Sequence, residues 1–179
     1  MSNFFQKGDS LVYQYAHETL RIRPWGKDGL RIQATMNVDF ADLPSALLTP
    51  APYHPDITAG DKGASIQNGQ IKAEITADGR LLFWNVSTDE IVLEETPFRS
   101  VLPHARFYLP KSGNQFQTEV KFNTDPQERL YGLGQHPNGS LNQKGYVIDL
   151  VQRNTQVNIP FLVSSRGYGF LWNNPGMGR

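Results

Sequence analysis

The chain has 179 residues, 17 basic and 17 acidic side chains, four histidines and no cysteine. Zero formal net charge gives no electrostatic ground for a nucleic-acid or anionic-membrane partner, and the lack of cysteine excludes disulfide staples and thiolate-ligated zinc. No apolar run approaches the roughly 18 residues that cross a bilayer, and residues 1–7 lack the apolar stretch of a signal peptide, so a cytoplasmic chain is the expectation.

Sixteen glycines and twelve prolines interrupt the sequence too often for long helices and point to short strands and turns. Residues 11–15 and 19–23 read as strands; in the second, Leu20 and Ile22 face one way and the polar residues the other. The run Pro24-Trp25-Gly26-Lys27-Asp28-Gly29 supplies a turn, and residues 30–35 repeat the alternation, which predicts a hairpin. From Asp39 to Gly63 the alternation is lost, and Pro44, Pro50, Pro52 and Pro55 oppose a central strand. That segment reads as a surface excursion with one short helical turn near Ser45, Tyr53 and His54 being plain loop surface.

The next stretch is an antiparallel meander written in turn chemistry. Ile66 precedes Asn68-Gly69; Ile71, Ala73 and Ile75 alternate with Lys72 and Glu74; Asp78-Gly79 leads into Leu81 and Phe83. Each Asx-Gly pair tolerates the positive φ of a tight hairpin. Residues 88–90 turn into a strand at 91–95, and 106–109 and 116–122 add two more, with Phe116, Thr118, Val120 and Phe122 on one face. Short strands with turns every eight to twelve residues or so predict an all-β, antiparallel β-sandwich. No internal repeat supports a propeller or solenoid.

The last third carries the most specific pattern. Residues 159–163 and 168–172 flank a Ser-Ser-Arg-Gly turn and read as a hairpin, preceded by Tyr131-Gly132-Leu133-Gly134-Gln135, whose glycines permit a sharp bend or close backbone approach. Glu128-x-x-Tyr-Gly-Leu-Gly-Gln, a polar loop, Ile159-Pro160-Phe161 and then Gly167-x-Gly169-x-x-x-x-Asn174 resembles the N-terminal domain of glycoside hydrolase family 31, the α-glucosidase and α-xylosidase family. The Arg-x-Arg-Pro run at Arg21 and the Leu-Arg-Ile strand at Leu30 look like the opening of that domain. The resemblance implies a galactose mutarotase-like supersandwich, one domain over 1–179, truncated at its C-terminal end. It also implies a catalytic (β/α)8 barrel as the missing partner and an α-linked saccharide as substrate.

Other chemistry finds little support in the residues. Retaining glycosidases need two carboxyl groups about 5–5.5 Å apart; in the family these lie on the barrel, with a nucleophile in a Trp-x-Asp-Met-Asn type motif. Trp25, Trp84 and Trp172 have no such context, and a barrel of about 250 residues does not fit. His17, His54, His104 and His136 lack metal-ligand spacing, Ser140, Ser164 and Ser165 lack a Gly-x-Ser-x-Gly frame, and Gly132-Leu133-Gly134 is a partial dinucleotide fingerprint without a following helix. No catalytic residue, metal ligand or cofactor is therefore expected.

The family resemblance places a pocket-facing loop between the Tyr-Gly-Leu-Gly segment and the Ile-Pro-Phe strand, here 136–158. Its Gln152, Arg153, Asn154 and Thr155 become the expected substrate-binding wall, where amides suit sugar hydroxyls. Relatives often carry a Trp-Asn-x-Asp type sequence there, and the departure resembles the α-xylosidase-like branch. Asn173-Asn174-Pro175 reads as a turn out of the sheet. The expected role is a non-catalytic domain of an α-glycosidase; the alternatives are an independent carbohydrate-binding sandwich and a mutarotase-like epimerase. An open sheet edge or apolar surface would favour a homo-oligomer.

Overall fold

The structure is a computed structural model, and it describes residues 3–40, 47–96, 105–174 and 176–179. The expected helical turn near Ser45, with Pro44, lies outside the described residues, as do His104 and Pro175. The described residues form fifteen strands and no helix, every strand pairing being antiparallel. The all-β expectation holds. Two compact units divide the chain, Met1–Asn123 and Thr124–Arg179.

In the first unit, β1 (Phe4–Lys7), β2 (Ser10–Tyr15), β3 (Glu18–Pro24) and β4 (Leu30–Thr35) form one sheet in chain order. The turn between β3 and β4 closes with Trp25 N–H donating to Gly29 O at 2.9 Å. A second sheet runs in the order β12 (Phe122–Asn123), β9 (Glu90–Glu95), β8 (Leu81–Asn85), β7 (Ile71–Thr76), β6 (Gly63–Asn68), β5 (Asp56–Gly60). β1 and β2 lie against β5 and β6, and β3 lies against β6. The alternating inner faces therefore meet: Leu11, Leu20 and Ile22 from one sheet and Ile66, Ala73 and Ile75 from the other are all at most 1% exposed. Each fully buried Leu or Ile contributes about 1.5–3 kcal/mol of transfer free energy, so this two-sheet layer is the core. β10 (Arg106–Pro110) and β11 (Phe116–Val120) make a separate two-stranded ribbon.

Three differences from the sequence reading have physical causes. β1 and β5 both go unpredicted because edge strands need bury little: β5 shows only Ile57 partly covered, and Pro55 sits just before it, where no ladder donor is needed. The strand expected over 116–122 breaks at Lys121, its first part pairing with β10 and its second with β9. Within β8–β9 the register slips between Phe83 and Trp84, so that Trp84 faces Ile91 and Phe83 faces Leu93, and Val92 is the extra residue of a bulge. Simple alternation from the buried Val92 would send Glu94 inward; the bulge turns Glu95 inward instead.

Glu95, 2% exposed, is satisfied there by a designed set of donors. Leu81 N–H donates to its Oε2 at 2.8 Å and Arg106 Nη1 to the same oxygen at 2.5 Å. Arg106 also donates through Nε to Glu18 Oε1 at 2.6 Å and through Nη2 to Gly79 O at 2.7 Å, and Tyr108 Oη donates to Glu18 Oε1 at 2.6 Å. Burial pushes the Glu95 carboxyl up, opposed by the Arg106 charge. Burial would lower the Arg106 pKa, yet Glu95 and Glu18 together raise it, so the guanidinium stays charged.

The second unit is built on a three-stranded sheet, β13 (Leu130–Gln135), β14 (Val157–Ser164) and β15 (Gly169–Leu171), in that order. The predicted hairpin is β14–β15, closed by Ser164 N–H to Tyr168 O at 2.8 Å. Between the pairs Gly132–Leu162 and Gly134–Asn158, β13 advances two residues and β14 four. Pro160 lies in that bulge: it has no N–H to give β13, while its carbonyl accepts Trp172 N–H at 2.8 Å on the other side. Opposite it, Gly132, Leu133 and Gly134 all take positive φ (107°, 64° and 100°). The glycine bend and the Ile-Pro-Phe run are thus two halves of one irregularity. Alternate residues of β14, namely Val157, Ile159, Phe161 and Val163, are 41–52% exposed.

Candidate functional site

The sheet that carries the β13–β14 loop is anchored by a buried carboxylate just ahead of β13. Glu128, 4% exposed, accepts at Oε1 from Ser164 Oγ and from Tyr168 Oη, the latter at 2.8 Å, and Ser164 Oγ accepts Arg166 N–H at 3.0 Å. Burial, then the Glu128 hydrogen bond, pushes the Tyr168 hydroxyl pKa well above its usual value, so it remains a donor. The first residue of the Glu-x-x-Tyr pattern therefore ties the entry of β13 to the β14–β15 turn.

The first half of the loop uses its amides on itself. Asn138 Nδ2 donates to Gln143 Oε1 at 2.7 Å, Gln143 Nε2 to Ser140 O at 2.5 Å, and Ser140 Oγ to Asn142 O at 2.8 Å. Asn142 Oδ1 accepts Leu130 N–H at 3.0 Å and Lys144 N–H at 3.2 Å, and His136 Nε2 donates to Leu133 O at 2.8 Å. These side chains hold the loop's shape and have little capacity left for a ligand.

The second half is different. Gln152, Arg153, Asn154 and Thr155 are all exposed and lead into a turn in which Gln156 N–H donates to Arg153 O at 3.2 Å. Gln152 Nε2 donates to Asn158 O at 3.2 Å, and Arg153 Nη2 to Asp149 Oδ2 at 3.1 Å. Asp149 also accepts from Arg179 Nε at 2.7 Å, and the Arg179 hydrogen bond and charge, with those of Arg153, hold its carboxyl below the usual range. The Asn154 amide makes no hydrogen bond among the described residues. Thr155 has φ 72°, an unusual backbone for a β-branched residue, costing about 1–3 kcal/mol.

Beside this turn is a cleft of about 160 Å³ lined by Gln152, Asn158, Pro160, Trp172 and Asn174 among others. The sequence reading ends the pocket-facing loop at Asn158 and has Trp172 and Asn174 as strand and turn residues; only the fold brings all three beside Gln152. Trp172 stacks on Phe170 with ring centroids 6.2 Å apart, and Asn158 donates through Nδ2 to Val151 O at 2.5 Å while its Oδ1 is buried without a partner. Asn174 Oδ1 accepts Gly176 N–H at 3.1 Å. No Asp, Glu or His lines the cleft, and it is smaller than the roughly 300–1,000 Å³ of a complete small-molecule site. Such a surface can hold a hydroxylated ligand by amides and an indole; it has no group to move a proton. Among the described residues no cluster of three His, Asp or Glu could hold a metal ion.

Residues 12–178 match the family model of the glycosyl hydrolase 31 N-terminal galactose mutarotase-like domain. The chain belongs to glycoside hydrolase family 31. It is 34% identical to an uncharacterized family 31 glucosidase of Pseudescherichia vulneris over 99% of its own length and 37% of the relative's. With α-xylosidase A of Aspergillus niger it shares 32% identity, covering 98% of this chain and 27% of that protein. Its fold superposes on a family 31 α-xylosidase from a soil metagenome, solved with xylose, with a TM-score of 0.90 and 35% identity over 99% of this chain and 29% of that one. The chain thus spans about a third of the length of its family 31 relatives, and corresponds to their N-terminal domain. The tie from Glu128 to Ser164 and Tyr168, and the bulge at Pro160, are what the family's sequence pattern encodes in this chain.

Proposed function

We propose that this chain works as the non-catalytic amino-terminal domain of an enzyme that hydrolyses α-linked O-glycosyl bonds, of the α-xylosidase or α-glucosidase type. It packs on a catalytic barrel and contributes the turn at Gln152, Arg153, Asn154 and Thr155 to the wall of the sugar pocket. The observation that carries this reading is the cleft beside that turn, lined by amides and an indole and free of any acid or base. Two features support it further: the loop's earlier amides are consumed internally while the Asn154 amide is free among the described residues, and the turn is held in a strained backbone at Thr155. Strain kept at an exposed turn is a pointer to use.

Two expected results test the two halves of this reading. The 179-residue chain alone should hydrolyse neither aryl α-xylosides nor aryl α-glucosides; turnover of about 1 per second or more, ordinary for an enzyme, would overturn the non-catalytic assignment. In an enzyme in which this domain is joined to its catalytic barrel, Asn154→Ala should lower kcat/KM for the preferred sugar several-fold to about tenfold, the effect of losing one hydrogen bond of about 0.5–1.5 kcal/mol. Thermal stability should be unchanged. Unaltered kinetics for Gln152→Ala, Arg153→Ala and Asn154→Ala across several α-linked substrates would reduce the turn to a solvated cap.

A further inference from the structure

The outer face of the β3–β4 hairpin carries Arg21, Arg23 and Arg31. Arg23 and Arg31 are direct cross-strand partners, and Arg21 stands two residues along the same strand on the same face, opposite Gln33. Like charges directly opposite each other in a sheet are destabilising. None of the three forms a salt bridge among the described residues. Elsewhere in the same unit comparable arginines are matched: Arg106 by Glu18 and Glu95, and Arg80 by Asp78 and Glu94.

What the trio does have is aromatic support. The Arg31 and Arg23 guanidinium carbons lie 4.6 and 5.3 Å from the Trp25 ring centroid, and that of Arg21 lies 4.2 Å from Phe40. Arg21 Nη2 also donates to Gln33 Oε1 at 2.7 Å. Stacked rings fix the planar guanidiniums in place without neutralising them. Both Arg21 Nε and Arg23 Nε are buried donors with no acceptor, and such orphans call for a missing partner. Burial, then the charges of Arg31 and Arg21, hold Arg23 below the usual arginine pKa.

We propose that this face is a binding site for a phosphate-class oxyanion, held in the forks of Arg21, Arg23 and Arg31. A multiply charged oxyanion supplies the acceptors the orphan donors lack and the negative charge the cross-strand pair needs, and guanidinium forks match its geometry bidentately. A neutral saccharide supplies the first and not the second. The arginines belong to the first unit and the proposed sugar wall to the second, and this inference does not rest on that wall.

The test is thermal unfolding of the 179-residue chain in sodium phosphate against sodium chloride of equal ionic strength, with glucose 1-phosphate as a third arm. At ten times its dissociation constant, phosphate should raise the folding constant about tenfold, with matching shifts of the Arg Nε–H resonances of Arg21 and Arg23. The double substitution Arg23→Gln, Arg31→Gln should abolish both responses and, in chloride, leave stability equal to or above the parent because the repulsion is relieved. Arg31→Lys, which keeps the charge and loses the fork, should weaken phosphate binding several-fold if the double variant does not fold. Equal affinity for the two phosphates assigns the site to the free anion, and tighter binding of the ester assigns it to a sugar phosphate. Phosphate and chloride giving the same stability, or a phosphate response that persists in both variants, would overturn the site and leave the arginines as packing on Trp25 and Phe40.

Discussion

Arg106→Ala is expected to cost about 3–5 kcal/mol of folding stability, the penalty for removing one partner of a buried ion pair, and to lower Tm by about 6–20 °C for a chain of this size. The side chain is only 6% exposed and serves two carboxylates and a carbonyl. Its loss leaves Glu95, 2% exposed, with the Leu81 N–H as its remaining donor, and strips Gly79 O of a partner. The cost belongs to the stranded charge more than to the attraction lost, so a double variant, Arg106→Leu with Glu95→Leu, should recover most of it. Near-UV circular dichroism during heating reads the loss, and hydrogen exchange at the Leu81 amide localises it. A Tm within about 2 °C of the parent for Arg106→Ala would show that the carboxylates are hydrated, contrary to their burial.

The second large effect is expected at Gly134. A Cβ there would stand 2.0 Å from Val157 O and 2.9 Å from Ile159 N, both backbone atoms of the strand it pairs with, and φ is +100°. Overpacking of about 1–3 kcal/mol adds to backbone strain of about 1–3 kcal/mol, so Gly134→Ala should lose about 2–6 kcal/mol. Gly139 is the control: its φ is +67°, yet a Cβ meets nothing within 4 Å, so Gly139→Ala carries only a left-handed backbone penalty of about 1–2 kcal/mol. Chemical denaturation followed by Trp172 fluorescence compares the two. Equal losses at both positions would mean that β13 can move away from β14 and that the close approach is incidental.

These two positions also mark what was and was not legible in the sequence. The meander from β6 to β9 was readable because Asn68-Gly69 and Asp78-Gly79 fix turns locally, and local chemistry is visible in a one-dimensional string. Gly132 and Gly134 were readable as a close approach for the same reason, although nothing local paired them with Pro160. The Glu95–Arg106–Glu18 hub was not readable: Glu18 and Arg106 are 88 residues apart, and one extra residue in β9 decides which of two adjacent glutamates is buried. At the candidate site the sequence marks only a polar loop, because an amide spent on its own loop and an amide without a partner look alike in sequence. Asn138 and Gln143 belong to the first kind, Asn154 to the second. The cleft neighbours Asn158 and Trp172 come from strands whose pairing, not composition, sets them beside Gln152.

The bulge at Pro160 bears on solubility as well as on register. β14 reads Val-Asn-Ile-Pro-Phe-Leu-Val-Ser, eight residues without a charge, rich in branched and aromatic side chains, with half-exposed apolar residues along one face. Such a segment is the raw material of a cross-β stack, in which each copy offers the next an unbroken ladder. One proline at its middle removes a donor from every would-be layer and bends the strand out of flatness, the role of a gatekeeper residue. The irregularity that lets β14 pair with a kinked β13 in the folded chain therefore also makes β14 a poor template for its own copies while the chain is still unfolded.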